Sequence, residues 1–247
     1  MTRHNLLLLL ILSFTITCFR TYSSVIVPVP IDSVDYNRIQ NKKVRKLISR
    51  QKYFGVRTFD EIHPVCYNTL DSGDYRTFRK SQLIQQNINV VWNNLTRQAL
   101  SDEFDGRIVT LGLLYSKRQN NIQYKNEPNI GIEEGQILFF NLRVLNGIKN
   151  LAVALEVTRM DNAEKTIEYC YVEHGDTRGT QKFSLNPTPE GFTEITQYTR
   201  YKCNSKLRDR RLYSFFHERI VREFFKTIKI KSECGKAALA ENLEILQ

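Results

Sequence analysis

Beyond its first two dozen residues the chain has no stretch apolar enough to cross a membrane as a helix. It has no Cys-x-x-Cys or histidine-rich spacing for zinc, no glycine-rich phosphate loop and no Gly-x-Ser-x-Gly. Internal repeats and low-complexity segments are absent too. These gaps argue against a helical membrane protein, a zinc module, a P-loop enzyme and an α/β-hydrolase, and no metal or cofactor is expected. What is present suits a folded domain: hydrophobic residues make up 41% of the 247 and aromatics 11%, enough for a sizeable core.

The N-terminus explains the compartment. Arg3 and His4 supply a short positive region, Leu6 to Phe14 an apolar run broken only by Ser13, and Thr21, Ser23 and Ser24 a small polar exit. That order predicts a secretory signal over residues 1–24, cut between Phe19 and Val25. The terminal Leu243-Glu244-Ile245-Leu246-Gln247 carries no retention or lipid-anchor signal. The predicted product is secreted, with an extended, basic entry segment over 25–60 and a single domain over 61–247. Removing Arg3 and Arg20 from 36 Lys+Arg leaves 34 against 26 Asp+Glu, a charge of +8 rather than +10. Such a surface favours acidic glycans or lipid headgroups, and export disfavours nucleic acid as a partner.

Two further features fit export. Asn94-Leu95-Thr96 is a glycosylation acceptor. Of five cysteines, Cys18 leaves with the leader, so Cys66, Cys170, Cys203 and Cys234 remain. An even count in an exported chain predicts two disulfides among three possible pairings.

Val25 to Pro30 reads as a proline-stiffened extended segment. Between Asn37 and Arg57 there are eight cations and no acid. Val44, Leu47 and Ile48 lie there at helical spacing, which predicts a short basic amphipathic helix. Lys42, Lys43, Arg45 and Lys46 are its candidate anion-binding residues. Thr77 to Leu100 carries a broad apolar stripe and reads as a second helix.

From residue 107 alternation takes over. Strands are predicted at Arg107–Tyr115, Gln136–Leu145, Leu151–Met160, Lys165–His174, Thr180–Leu185 and Phe192–Tyr201. Turn residues part them at Asn146-Gly147, Asp161-Asn162, Gly175-Asp176 and Asn186 to Gly191. Gln119 to Gly135 reads as a long polar loop. Lys206 to Ile230 closes the chain as a helix of roughly 37 Å, with Tyr213, Phe216, Ile220 and Phe224 on its apolar face. A helix of that length disfavours a Cys203–Cys234 bond unless the tail after Ile230 folds back along it. The favoured schemes are Cys66–Cys203 with Cys170–Cys234, or Cys66–Cys234 with Cys170–Cys203.

The predicted class is α+β: about six antiparallel strands gripping a long C-terminal helix, after a helical N-terminal third. Tyr171 to Phe183, read with Phe192-Thr193-Glu194-Ile195 and the basic-aromatic last helix, resembles an uncharacterised family of bacterial and plant proteins. That family is marked by Gly-His, a turn, Gly-Glu-Glu-Arg-Phe, an aromatic-x-Glu-Ile strand and an Arg-rich last helix. The resemblance covers about residues 137–229 and puts His174, Gly179, Phe183 and Glu194 on the family positions. Thr180, Gln181 and Lys182 replace its acidic pair and arginine, and His174 and Gly179 stand one residue farther apart. It implies the helix-grip superfamily of START and Bet v-like proteins and carries no assigned reaction.

Three functions follow as expectations. The first is a binding protein holding an apolar or amphipathic small molecule between sheet and helix, with Phe139, Tyr171, Phe183, Tyr213, Phe216 and Phe224 lining the pocket. The second is a polyanion-binding protein using Lys42 to Lys46 and the basic face of the last helix. The third is an enzyme using His174 and Glu173, clustered with Asp176 and with His217 on the last helix, although no nucleophile motif, metal spacing or phosphate loop accompanies them.

Overall fold

The computed structural model describes residues 27–70, 75–97, 106–127, 131–144, 148–206, 209 and 212–244, with side chains to Cys234. The predicted leader, residues 1–24, lies outside them. Eight strands form one sheet: β1 (Arg76–Ile84), β2 (Val109–Ser116), β3 (Asn121–Tyr124), β4 (Gln136–Val144), β5 (Lys149–Asp161), β6 (Thr166–Tyr171), β7 (Thr177–Pro187) and β8 (Thr193–Cys203). Their order is β1-β8-β7-β6-β5-β4-β2-β3, with each neighbouring pair antiparallel. Three helices accompany them: α1 (Lys42–Tyr53), α2 (Ile88–Arg97) and α3 (Tyr213–Glu244). The sheet wraps around α3 on its inner face, a helix-grip arrangement, and α1 packs on the outer face. No helix among the described residues is long and apolar enough to cross a membrane.

Both faces of the central strands are therefore covered, and their composition follows from it. In β4, Leu138 and Phe140 join the inner core while Ile137 and Phe139 join the outer one. β2 is buried along its whole length. A strand covered on both sides reads as a continuous apolar run instead of alternating. Helix α1 buries Val44, Leu47, Ile48 and Gln51, one stripe at i, i+3, i+4 and i+7. The Asn41 carboxamide oxygen accepts the Lys43 N–H at 2.8 Å and starts the helix. Gly112, at a register shift in β2, lets α1 sit close: a Cβ there would lie 3.0 Å from the Val44 side chain.

Thr77 to Leu100 is not one helix. Its first part is the edge strand β1, paired with β8 from Arg76↔Tyr201 to Ile84↔Thr193. The helix α2 begins only after Asn87, whose side-chain oxygen accepts the Asn89 N–H at 2.9 Å. Asn87 is thus a cap and a break, since an Asn here satisfies amides that a continuous helix would bond internally. Four residues of the expected polar loop, Asn121–Tyr124, form β3 against β2. The last helix begins at Tyr213 and runs on past Cys234 to Glu244. The Asn146-Gly147 turn lies outside the described residues, although Val144↔Lys149 closes the ladder on either side of it.

The cysteines pair differently from either expected scheme. Cys66 bonds Cys170, with Cα atoms 4.9 Å apart, while Cys203 and Cys234 are thiols. Strand parity explains the choice. Cys170 points outward from β6, near Thr158 and Thr180, where the chain from His63 to Tyr67 crosses the outer face. Cys203 belongs to the inward row of β8, buried with Ile195 and Tyr201. The intervening sheet separates Cys66 from Cys203.

Candidate functional site

Between the inner face of the sheet and α3 lies a cavity of about 570 Å³. Successive turns of α3 present Phe216, Ile220, Val221 and Phe224 to it, facing Phe140, Val153, Leu155, Tyr169 and Phe183 on the strands. The Phe183 and Phe224 rings lie 5.2 Å apart, and Tyr169 meets Phe183 edge-on at 5.8 Å. Rings at these spacings hold one another in place, so the apolar wall is preformed.

One end of the cavity is polar and uncharged. The Tyr171 and Tyr213 hydroxyls are 2.5 Å apart, and Gln181 Nε2 donates to Tyr171 at 2.8 Å. Behind Gln181, Gln197 Nε2 lies 3.2 Å from Gln181 Oε1 and 3.0 Å from His217 Nε2. Thr199 Oγ1 is 3.2 Å from the same His217 nitrogen. Burial pushes the Tyr171 and Tyr213 phenols up from their ordinary range. It pushes His217 down to about 3, because a low-dielectric interior disfavours imidazolium. At neutral pH this end offers neutral hydrogen-bonding groups, and His217 is too weak a base for general base catalysis.

The opening has a structural cause. The ladder between β5 and β6 ends at Leu155↔Tyr171, so the first half of β5 has no β6 residue opposite it. β7 starts beyond the turn at Gly175 and Asp176. Lys149 to Val153 and Thr177 thereby part, with Leu212 and Tyr213 on one side and Lys43, Lys46, Leu47 and Arg50 of α1 on the other. Arg50 Nη1 reaches Asp176 Oδ1 at 3.2 Å across this gap.

Of the six aromatic residues named from sequence, Tyr171, Phe183, Tyr213, Phe216 and Phe224 lie on the cavity wall. Phe139 does not. Register pairs it with Ala154, and it packs edge-on to Phe59 on the outer face, ring centres 6.3 Å apart. Its neighbour Phe140, opposite Val153, takes the inward place. Of the anion-binding candidates, Lys43 and Lys46 stand at the mouth. Lys42 is exposed elsewhere on the helix, and Arg45 Nε donates to the Ile39 carbonyl at 2.6 Å. On the last helix, Arg222 pairs with Glu218 and Lys229 lies 3.8 Å from Glu233.

His174 and Glu173 sit on the β6–β7 turn. The imidazole stacks on Phe54 at 4.3 Å and lies 3.8 Å from the Glu173 carboxylate. Glu173 itself accepts the His63 N–H at 3.2 Å. The cavity lining passes from Val172 to Gly175 without either. Gly179 has a physical reason for its place in the motif: its φ is +127°, and a Cβ would fall 2.0 Å from the Arg200 carbonyl oxygen. At the glycosylation acceptor, Asn94 Nδ2 lies 3.1 Å from Ser232 Oγ on α3.

The sequence pattern pointed to Tyr171 and Tyr213 but not to Gln181, Gln197 and Thr199 beside them, nor to Lys149. The available signal was parity, because Gln181 shares an inward row with Phe183 and Leu185 on β7, and Gln197 and Thr199 share one with Ile195 and Tyr201 on β8.

No protein-family model matches the chain, and no curated protein matches it. Among solved structures it is similar to a norcoclaurine synthase point mutant from Thalictrum in complex with a transition-state analogue, at 12% identity and TM-score 0.49 over 66% of this chain and 96% of that one. It is also similar to the Zhui aromatase/cyclase from Streptomyces sp. R1128, at 11% identity and TM-score 0.47 over 64% and 94%. Ginseng major latex-like protein 151 matches at 13% identity and TM-score 0.45 over 65% and 99%.

Proposed function

We propose that this protein is an exported carrier that holds one apolar or amphipathic small molecule between its sheet and α3. The observation that carries the reading is the cavity itself: about 570 Å³, walled by apolar side chains and closed at one end by neutral polar groups. That volume lies within the range of about 300–1,000 Å³ typical of small-molecule sites. Native interiors otherwise pack with few voids larger than a water molecule, so the space is a built feature.

The neutral fluorophore N-phenyl-1-naphthylamine tests it. One molecule per chain is expected to bind, with fluorescence shifted to the blue. Val153→Trp, which fills the cavity from β5, is expected to weaken binding at least about tenfold while costing about 1–3 kcal/mol of stability. Absence of binding to the native chain, or equal binding to the variant, overturns the reading.

Export is supported by the Cys66–Cys170 bond, since such bonds persist in oxidising compartments. Expressed in a secreting cell, the protein is expected in the medium with a new N-terminus between Phe19 and Val25, checked by terminal sequencing. Retention in the cell with Met1 intact refutes that part.

A further inference from the structure

We propose that the mouth of the cavity selects ligands carrying one anionic group (carboxylate, sulfate or phosphate), held by Lys43, Lys46 and Lys149 while the apolar body lies inside. The proposal rests on the cavity reading and adds the ligand class to it.

The placement follows from helix geometry. At about 100° per residue, the buried stripe Val44, Leu47, Ile48 and Gln51 leaves two flanks of α1 exposed. Lys43, Lys46 and Arg50, at i, i+3 and i+7, share one flank, and that flank faces the gap between β5 and β7. Lys42 and Arg45 fall on the other. From the opposite lip, Lys149 opens β5. Two elements distant in sequence thus bring four cations to one rim.

Their pairing differs. Arg50 is bound to Asp176 at 3.2 Å. Among the described residues, no carboxylate lies within ion-pair distance of Lys43, Lys46 or Lys149. All three are exposed. They are therefore positive, hydrated and available at the entrance.

The interior fixes the orientation. Its polar end presents Tyr171, Gln181, Tyr213 and His217 and no cation. An anion buried there would lack a counter-charge, which is costly. At the rim the same anion keeps its water and gains attraction to the lysines. The ligand is thus held body inward and charge outward, with α1 reading its head.

A matched pair of probes tests this: N-phenyl-1-naphthylamine, which is neutral, and 1-anilinonaphthalene-8-sulfonate, a similar aromatic body carrying an anion. The variant is Lys43→Gln/Lys46→Gln/Lys149→Gln. A charge-matched control is Lys42→Gln/Arg219→Gln/Lys226→Gln, changed away from the mouth. The mouth variant is expected to lose about tenfold or more in sulfonate affinity, with the neutral probe unchanged. The control is expected to lose less than about threefold for either probe, and added salt is expected to shrink the difference. If the neutral probe binds and the mouth variant retains sulfonate affinity, or the control loses as much, the proposal is overturned and the cavity reading stands. If the native chain binds neither probe, the cavity reading fails and takes this one with it.

Discussion

Replacing Cys66 and Cys170 together by alanine is expected to lower the free energy of unfolding by about 2–5 kcal/mol. The bond joins residues 104 apart. Closing a loop of that size removes on the order of 4.7 kcal/mol of entropy from the unfolded chain. The folded state changes less, because the segment from His63 to Tyr67 is held independently. Val65 N–H donates to the Tyr171 carbonyl at 2.6 Å, Glu173 N–H to His63 at 3.0 Å, and Gly179 N–H to Val65 at 2.9 Å. Tyr67 N–H adds a bond to Thr180 Oγ1 at 2.9 Å. The variant should fold with the same far-ultraviolet circular dichroism. Its guanidinium midpoint should fall and its m value rise, as the unfolded chain expands without its cross-link. An unchanged midpoint would mean that the pair is not bonded in solution.

The second large effect concerns acid. His217 is buried against Gln197, Thr199, Tyr213 and Phe78, and burial lowers its pKa from 6.5 to about 3. The unfolded chain takes up this proton below about pH 6.5 while the folded chain does not do so until near pH 3. Stability from this group is therefore complete above about pH 6.5 and is lost as the pH falls, by about 1.4 kcal/mol per unit. The loss reaches roughly 3 kcal/mol at pH 4.5 and about 4 kcal/mol at pH 3, where the folded chain begins to take up the proton too. His217→Gln retains hydrogen-bonding groups and has no such proton to gain. Urea midpoints for both chains at pH 7 and pH 4.5 give the contrast, since the carboxylates titrate alike in each. The native chain should lose about 3 kcal/mol more than the variant over that interval. Parallel losses would show that His217 is solvated or paired with an acid.

Which parts of this architecture could be read beforehand depended on how completely each face obeyed one environment. Strands β2 and β4 to β8 were legible because turn residues punctuate runs that either alternate or, where both faces are covered, are continuously apolar. β1 was not. Its inward positions are Phe78, Lys80, Gln82 and Ile84, and the central pair is polar because Lys80 reaches Glu218 on α3 at 3.1 Å. A long-range partner erased the period of two, and the remaining apolar residues matched a helix. β3 is too short, at four residues, to show a period at all. Phe139 and Phe140 are both buried, so composition could not tell the outer face from the inner one. Register against Ala154 and Val153 did.

The candidate site followed the same logic. Aromatic residues on α3, β6 and β7 marked the cavity wall, since so much apolar surface on one helix needs a sheet to cover it. The lysines of α1 were visible as a cluster, but nothing local related them to the cavity. That relation comes from where β5 loses its β6 partner, a property of chain geometry that no short segment encodes. The cysteine scheme failed for a similar reason: four thiols in even number suggested two bonds, whereas the sheet puts Cys170 and Cys203 on opposite faces.

The connectivity has a bearing on biogenesis. A chain made from its N-terminus presents Cys66 first among the four cysteines after Cys18 and Cys170 next, with Cys203 and Cys234 following. The native bond therefore joins successive cysteines. In the export pathway proposed above, an oxidase acting on the growing chain is expected to form it directly, with no isomerase needed to exchange partners. A chain denatured and reduced whole loses that order, because all its thiols then compete at once. Recovery from such a state should depend on a disulfide-shuffling catalyst in a way that first synthesis does not.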